Sequence, residues 1–167
     1  MALQAMWVHG TAFSPAEAPA NGLVNVNNVG WTDVVGMRQG WGTTFQGRAG
    51  HSNIFHVAIP SPVITNGVRA KLSKVFVMFK CGEDPYGAGP SAAVNLLKVD
   101  VWDGPKMIHT FGEYLLAGEH RYKLDTNNTF KFTQPLEVFF GLGLSVLIKF
   151  NKDGQVTFAS AGADFEV

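Results

Sequence analysis

Histidine is the residue type in this sequence that can take part in the most kinds of chemistry. The histidines are His9, His51, His56, His109 and His120. Imidazole can bind a metal ion or exchange a proton near neutral pH. A metal site on a β-sheet needs ligands at alternate positions, as in H-x-H or H-x-D/E, because alternate residues of a strand share one face. No such pair occurs in the sequence. We therefore expect no metal ion and no other cofactor.

A histidine and a carboxylate could still act together as general acid and base. A cofactor-free isomerisation or cyclisation requires only one or two such groups in an apolar cavity of a sandwich or barrel. His9 or His56 could supply the imidazole, and Asp33 or Asp100 the carboxylate. No motif brings these residues together in space, and such an enzyme is one alternative function for the chain.

The sequence contains only weak candidates for a nucleophile or a calcium site. Ser145 lies in G-L-S-V, which lacks the second glycine of a nucleophile elbow and falls inside a strand pattern. The single cysteine, Cys81, ends an apolar stretch and is predicted to be a buried, inert thiol. Asp100 and Asp103 flank Trp102 beside an Asp-Gly turn, where we expect a solvated strand end rather than bound calcium.

The most unusual composition is found in residues 21–50, which contain seven glycines, three charged residues and two tryptophans. Flat indole rings beside amide and carboxylate groups suit a neutral sugar, because sugars have apolar C–H faces and many hydroxyls. Trp31, Trp41 and, from a later strand, Trp102 are therefore predicted to be stacking surfaces. Asp33 and Asn28 are the predicted polar contacts.

The elements that must position these residues are predicted to be β-strands. The strongest pattern is the stretch from Val138 to Phe150, in which every second residue is apolar and which predicts one long strand with a fully buried face. On its other face, Gly141 and Gly143 leave a strip without side chains that another group must cover. Trp7 and His9 are candidates for that cover.

Further strands are predicted on both sides of turn dipeptides. Residues 71–81 are continuously apolar in their middle, which indicates a central strand covered on both faces. Residues 94–102 alternate and return through Asp103-Gly104 to residues 106–111. Asp153-Gly154 is predicted to join the long strand to residues 155–160 as an antiparallel hairpin.

About nine or ten mostly antiparallel strands, with no convincing helical period, predict an all-β fold. We expect residues 1–167 to form a single β-sandwich domain that is jelly-roll-like, with a closed β-barrel as the alternative. In architecture alone, the pattern resembles the sandwiches of lectins and carbohydrate-binding modules.

The bulk composition narrows the choice of partners. Thirteen basic and thirteen acidic residues give a net charge of zero, which argues against nucleic acid as a partner. Only 16% of residues are charged, which favours self-association and predicts a homo-oligomer. No secretory signal and no membrane span are recognised, so a soluble, cytoplasmic protein is expected.

These observations favour a non-catalytic binding protein, lectin-like in character, that recognises a neutral carbohydrate or a similar small molecule through its Trp-bearing, Gly-rich loops. The alternatives are the cofactor-free isomerase or cyclase described above and a self-assembling structural protein.

Overall fold

The computed structural model describes residues 2–16, 22–26, 35–82 and 91–167. Fifteen strands occur in these ranges, several of only two or three residues: β1 Leu3–His9, β2 Ser14–Pro15, β3 Leu23–Val24, β4 Met37–Gln39, β5 Gly42–Gly47, β6 Ser52–Ile59, β7 Ile64–Thr65, β8 Val68–Arg69, β9 Lys71–Cys81, β10 Val94–Asp103, β11 Lys106–Phe111, β12 Gly118–His120, β13 Thr129–Glu137, β14 Leu142–Phe150 and β15 Gly154–Glu166. A 3₁₀ turn, Gly10–Ala12, follows β1. The described residues include no helix long and apolar enough to cross a membrane.

The strands form two main antiparallel sheets. Sheet A has eight strands and contains the path β12-β9-β15-β5-β3, with β1 beside β15, β13 beside β9 and β4 beside β5. Sheet B has five strands in the order β11-β10-β14-β6-β2, and β7 pairs with β8 alone. The predicted all-β antiparallel sandwich is confirmed, and none of the sheets described here closes into a barrel. The extra strands beyond the predicted nine or ten are short ones with no alternating pattern.

The chain crosses between the sheets at most of its long connections. It passes from β6 in sheet B to β9 in sheet A, returns to β10, crosses to β13, returns to β14 and ends in β15 of sheet A. Such repeated crossing is typical of jelly-roll-like sandwiches. It corrects one prediction, because β14 and β15 are not a hairpin. β14 already has β10 and β6 as neighbours, so the turn at Asp153-Gly154 leads into the opposite sheet.

The predicted buried face of the long strand is confirmed from Leu142 to Phe150, where every second side chain is at most 3% exposed. The prediction fails at Phe140, which is 77% exposed. Residues 138–141 are the crossing from β13 to β14 rather than strand, and Gly141 has a positive φ of 139°. The alternation before residue 142 therefore coincides with a loop. By contrast, the predicted return after Asp103-Gly104 is confirmed as the β10–β11 pair.

The core lies between the two sheets and is rich in phenylalanine. Phe13 and Phe158 stack with ring centroids 4.1 Å apart, and Phe45 and Phe55 pack beside them. The prediction that β9 is covered on both faces is also confirmed. Its inner side chains enter the core, while Phe76 on its outer face is only 3% exposed.

Trp7 covers Phe76 on the outer face of sheet A. The two rings stack at 5.2 Å and 16°, and Gly162 lies between them in the register of β1, β15 and β9. A Cβ at position 162 would come within 2.6 Å of the Trp7 ring. Trp7 therefore lies over Gly162, and the prediction that Trp7 or His9 covers the strip at Gly141 and Gly143 is wrong, since β1 belongs to sheet A, Gly143 to sheet B and Gly141 to the loop before β14.

Replacing Gly162 with alanine is expected to lower the free energy of unfolding by about 1–3 kcal/mol, because the new methyl group displaces the Trp7 ring. Denaturant unfolding of Gly162→Ala measures the change. The same substitution is then made in the Trp7→Ala variant as a matched background. There the new methyl group meets no ring, so Gly162→Ala should change the free energy of unfolding little or not at all. The same loss in both backgrounds would contradict the contact.

Candidate functional site

Sheet B carries a row of polar side chains on its outer face. Ser14, His56, Ser145, Asp100 and Thr110 lie directly opposite one another across β2, β6, β14, β10 and β11. Residues paired in this way point to the same side of a sheet. Their neighbours along each long strand belong to the core, so the polar side chains face outward. We call this set the polar row.

Hydrogen bonds divide the polar row into two parts. The Nδ1 atom of His56 and the Oγ atom of Ser145 are 2.8 Å apart. Thr110 donates to Asp100 at 2.8 Å, and the Nζ atom of Lys98 lies 2.9 Å from the other oxygen of Asp100. His56 and Asp100 thus share one surface, as the enzyme alternative requires, but Ser145 lies between them in the register. The Asp100 carboxylate is held by groups other than the imidazole.

Beside the polar row, small residues leave a groove. Gly143 pairs with Ala58 on β6 and with Trp102 on β10, and a Cβ at position 143 would meet only the Cβ of Trp102, at 3.7 Å. A depression of about 430 Å³, open to solvent, lies here and is lined by Ala12, Ser14, His56, Val57, Ala58, Trp102, Gly104, Gly143, Leu144 and Ser145. We call it the sheet-B groove. The bare glycine strip predicted from the sequence is therefore part of its floor at Gly143.

Trp102 is the aromatic side chain of the sheet-B groove. The residue is partly buried, and its Nε1 atom is buried without a hydrogen-bond acceptor among the residues that the structure describes. A buried donor without a partner costs free energy. Trp102 therefore combines an indole at the groove with an N–H group whose hydrogen bond the described protein atoms do not supply.

His9 has a structural role in the folded chain. Its Nε2 atom lies 3.0 Å from the carbonyl oxygen of Gly40, and its Nδ1 atom accepts a hydrogen bond from the N–H group of Thr11 at 3.2 Å. Because a carbonyl can only accept, Nε2 is the protonated nitrogen. His9 thereby fastens the β4–β5 turn to the 3₁₀ turn, and the prediction that it could pair with a catalytic carboxylate is not supported by this geometry.

The predicted ligand contacts are distributed unevenly. Trp102 lines the sheet-B groove. Trp41 lies on the β4–β5 turn beside Gly40, is 45% exposed and is not among the groove-lining residues. Trp31, Asp33 and Asn28 fall in residues 27–34, outside the described residues.

Asp100 and Asp103 were expected at a solvated strand end, and this expectation is wrong. Their exposed fractions are 6% and 4%. Asp103 faces the end of the core and accepts hydrogen bonds from the N–H groups of Phe139 at 2.9 Å, Phe140 at 2.7 Å and Gly141 at 3.1 Å. Burial raises the pKa of Asp103, but these N–H groups and the nearby charge of Arg69 outweigh burial and hold its pKa below the ordinary value.

Two further titratable groups have structural surroundings. Burial raises the pKa of the Cys81 thiol far above its ordinary value, as expected for an inert thiol. His120 contacts the Asp125 carboxylate at 2.8 Å, and Asp125 also accepts from the N–H groups of Asn127 and Asn128. Burial raises the pKa of Asp125, and the hydrogen bonds from His120 and from the backbone more than reverse that effect. Within the described ranges, no three His, Cys, Asp or Glu side chains could together hold a metal ion.

The lowered pKa of Asp125 predicts a pH dependence of stability. Its contribution is fully present above the unfolded-state pKa, about 3.9, and is lost as the pH falls through the lower folded-state value. Thermal unfolding between about pH 6 and pH 2 should therefore show a shallower decline for Asp125→Asn than for the unchanged protein. Equal declines in both proteins would contradict this assignment.

Sequence reasoning did not identify Ser14, Ala58 and Ser145 as parts of a common surface. The sequence around Ser145 indicates at most a weak candidate nucleophile, and Ser14 and Ala58 belong to no motif. The available signal was the glycine at position 143, which marked a bare strip but not its neighbours. Those neighbours depend on the register of β14 with β6 and β10.

No known protein-family model matches the chain, and no curated protein matches it in sequence.

Proposed function

We propose that the protein binds a neutral, polyhydroxylated ligand, a carbohydrate or a compound of similar chemistry, in the sheet-B groove. The observation that carries the proposal is a side-chain-free floor at Gly143, with the indole of Trp102 beside it on β10 and with Ser145 and His56 two residues further along β14 and β6. The apolar C–H face of a sugar ring packs on Trp102, and its hydroxyls reach Ser145 and His56.

The charge of the groove supports a neutral ligand. None of the described lining residues is Asp, Glu, Lys or Arg. The nearby Asp100 carboxylate is compensated by Lys98 at 2.9 Å. A charged ligand would therefore lose its hydration without gaining an ionic partner in the groove, whereas a neutral polyol loses less.

The Nε1 atom of Trp102 is buried, so a ligand in the groove contacts the apolar surface of the indole ring and not its N–H group. The remaining predicted contacts, Trp31, Asp33, Asn28 and Trp41, stay part of the proposal as a second group of contacts on the Gly-rich segment. An open groove with few contacts implies weak binding.

A glycan array probed at high protein concentration tests the proposal, followed by calorimetric titration of the glycans that score. Binding is expected to neutral glycans, to be lost in Trp102→Ala and to be kept in Trp7→Phe, which changes an indole on the opposite sheet. An array without signals, or binding that is equal in both variants, would refute the proposal.

A second candidate function is a cofactor-free isomerase or cyclase, favoured by the 2.8 Å contact between His56 and Ser145 on the groove surface. Any compound that binds the groove should then be converted to an isomer by the unchanged protein and not by His56→Ala. NMR spectra of the compound, recorded during prolonged incubation, measure this. A compound that stays unchanged would speak against the candidate.

A further inference from the structure

The loop of residues 138–141 presents two phenylalanines at the surface. Phe139 is 49% exposed and Phe140 is 77% exposed, while Met107 on the adjacent strand β11 is 49% exposed. A depression of about 620 Å³ lies against them, with Leu136 and Pro135 in its lining. Contiguous exposed apolar side chains of this kind mark interaction surfaces. We call this surface the Phe140 patch.

The loop that presents Phe140 is held firmly. The buried Asp103 carboxylate accepts from three successive backbone N–H groups, and the N–H group of Gly104 donates to the carbonyl of Gly141 at 2.9 Å. A Cβ at position 104 would lie 2.8 Å from the Cβ of Phe140, so the two segments are in close contact.

Arg69 fixes the other end of the loop. Its guanidinium donates to the carbonyl of Val138 at 3.0 Å and lies 4.1 Å from the centre of the Phe139 ring. A side chain that is exposed on a rigid loop loses little further freedom when a partner binds it, which favours association. The exposure of Phe140 is therefore built into the fold by buried polar contacts.

We propose that the Phe140 patch is the contact surface of a symmetric homodimer, in which Phe140 of each copy enters the depression of the other. A projecting ring and an apolar depression lie side by side on one surface, which is the arrangement that a two-fold contact requires. Three charged residues line the depression: Asp103 is buried and bonded to the loop, which leaves Lys106 and Glu137 as the exposed cation and anion. A two-fold axis can place Lys106 of each copy opposite Glu137 of the other.

The overall charge is compatible with this contact. Thirteen basic and thirteen acidic residues leave no net charge, so two copies do not repel one another at long range. The Phe140 patch and the sheet-B groove share none of their described lining residues, although they adjoin at Gly104, which lines the groove and lies against Phe140.

Sedimentation velocity and light scattering between about 10 µM and 1 mM test the dimer, a range that suits a contact of modest area. A monomer–dimer equilibrium is expected. Phe140→Ser should weaken it at least about tenfold, since a central aromatic residue dominates such contacts. Tyr122→Ser is the matched control, because Tyr122 is 82% exposed outside the patch and its loss should leave the equilibrium unchanged.

Charge reversal tests the orientation of the two copies. Lys106→Glu or Glu137→Lys alone places like charges across the two-fold axis and should weaken the dimer, whereas both together should restore it. A monomer at every concentration, or a dimer that survives Phe140→Ser, would overturn the proposal. Since glycan binding is measured separately on Phe140→Ser, failure of the dimer is distinguishable from failure of the ligand site.

Discussion

Replacing Asp103 with alanine is expected to lower the free energy of unfolding by about 2–4 kcal/mol, because three N–H groups at the end of the core lose a charged acceptor at once. The loop of residues 138–141 would also lose its attachment to β10, and the exposure of Phe140 would no longer be fixed. Urea unfolding followed by circular dichroism measures the loss.

Two variants separate this effect from a general sensitivity to mutation. The Asp103→Asn variant keeps the shape of the side chain and one acceptor oxygen. It should therefore lower the free energy of unfolding by less than Asp103→Ala does. Asp153→Ala is the matched control, because Asp153 accepts one exposed hydrogen bond, from Ala49 at 2.8 Å, and should cost less than about 1 kcal/mol. A similar small cost at Asp103 would show that the three hydrogen bonds are unimportant.

Replacing Gly143 with valine is expected to abolish ligand binding while leaving the fold intact. The nearest atom to a new Cβ would be the Cβ of Trp102 at 3.7 Å, which is an ordinary contact, and valine favours extended backbone. The branched side chain would fill the floor of the sheet-B groove beside Trp102. We expect at least about a tenfold loss of affinity for any glycan that binds, together with unchanged or slightly increased stability.

Gly112→Val is the matched control for this prediction. A Cβ at position 112 would also make only ordinary contacts, at 3.6 Å with Lys98 and Thr110, and Gly112 does not line the groove. Calorimetric titration should show unchanged binding for this variant. Retained binding in Gly143→Val would mean that the ligand site lies elsewhere.

The fold class could be predicted from sequence because a strand with one buried face has an apolar side chain at every second residue. Leu142 to Phe150 carries that period and is a central strand, and residues 75–79 of β9 are continuously apolar because Trp7 and the core cover the two faces of that strand. The turn after Asp103 was also predictable, since an Asp-Gly pair joined two strands of one sheet.

The errors have a common physical origin. A turn dipeptide reverses the chain but does not select the sheet that the next strand joins, so Asp153-Gly154 could not reveal a crossing. Phe140 continues the alternation of its neighbours, yet the three hydrogen bonds to Asp103 shape residues 139–141 into a loop. That contact joins residues 36 to 38 positions apart and leaves no local mark in the sequence.

The candidate site was predictable only in part. Trp102 and the glycine strip were recognisable from residue type alone. Their meeting with His56 and Ser145 depends on two strand registers between segments more than forty residues apart. His9 has the same side chain as His56, but its two ring nitrogens are already hydrogen-bonded to Gly40 and Thr11. Residue type indicates what a side chain can do, whereas its hydrogen-bond partners decide whether it is available.

A two-dimensional NMR titration with neutral trisaccharides tests the central claim, that the sheet-B groove is the ligand site, most directly. Maltotriose, cellotriose and mannotriose would each be added to about 50 mM, which suits weak binding. The account predicts that the shifts of the Trp102 indole N–H and of the backbone amides of Gly143, Ser145 and Ala58 change together and saturate. Unchanged shifts at these four positions would contradict the claim. This holds whether no residue of the protein shows a saturable change or only residues on another surface do.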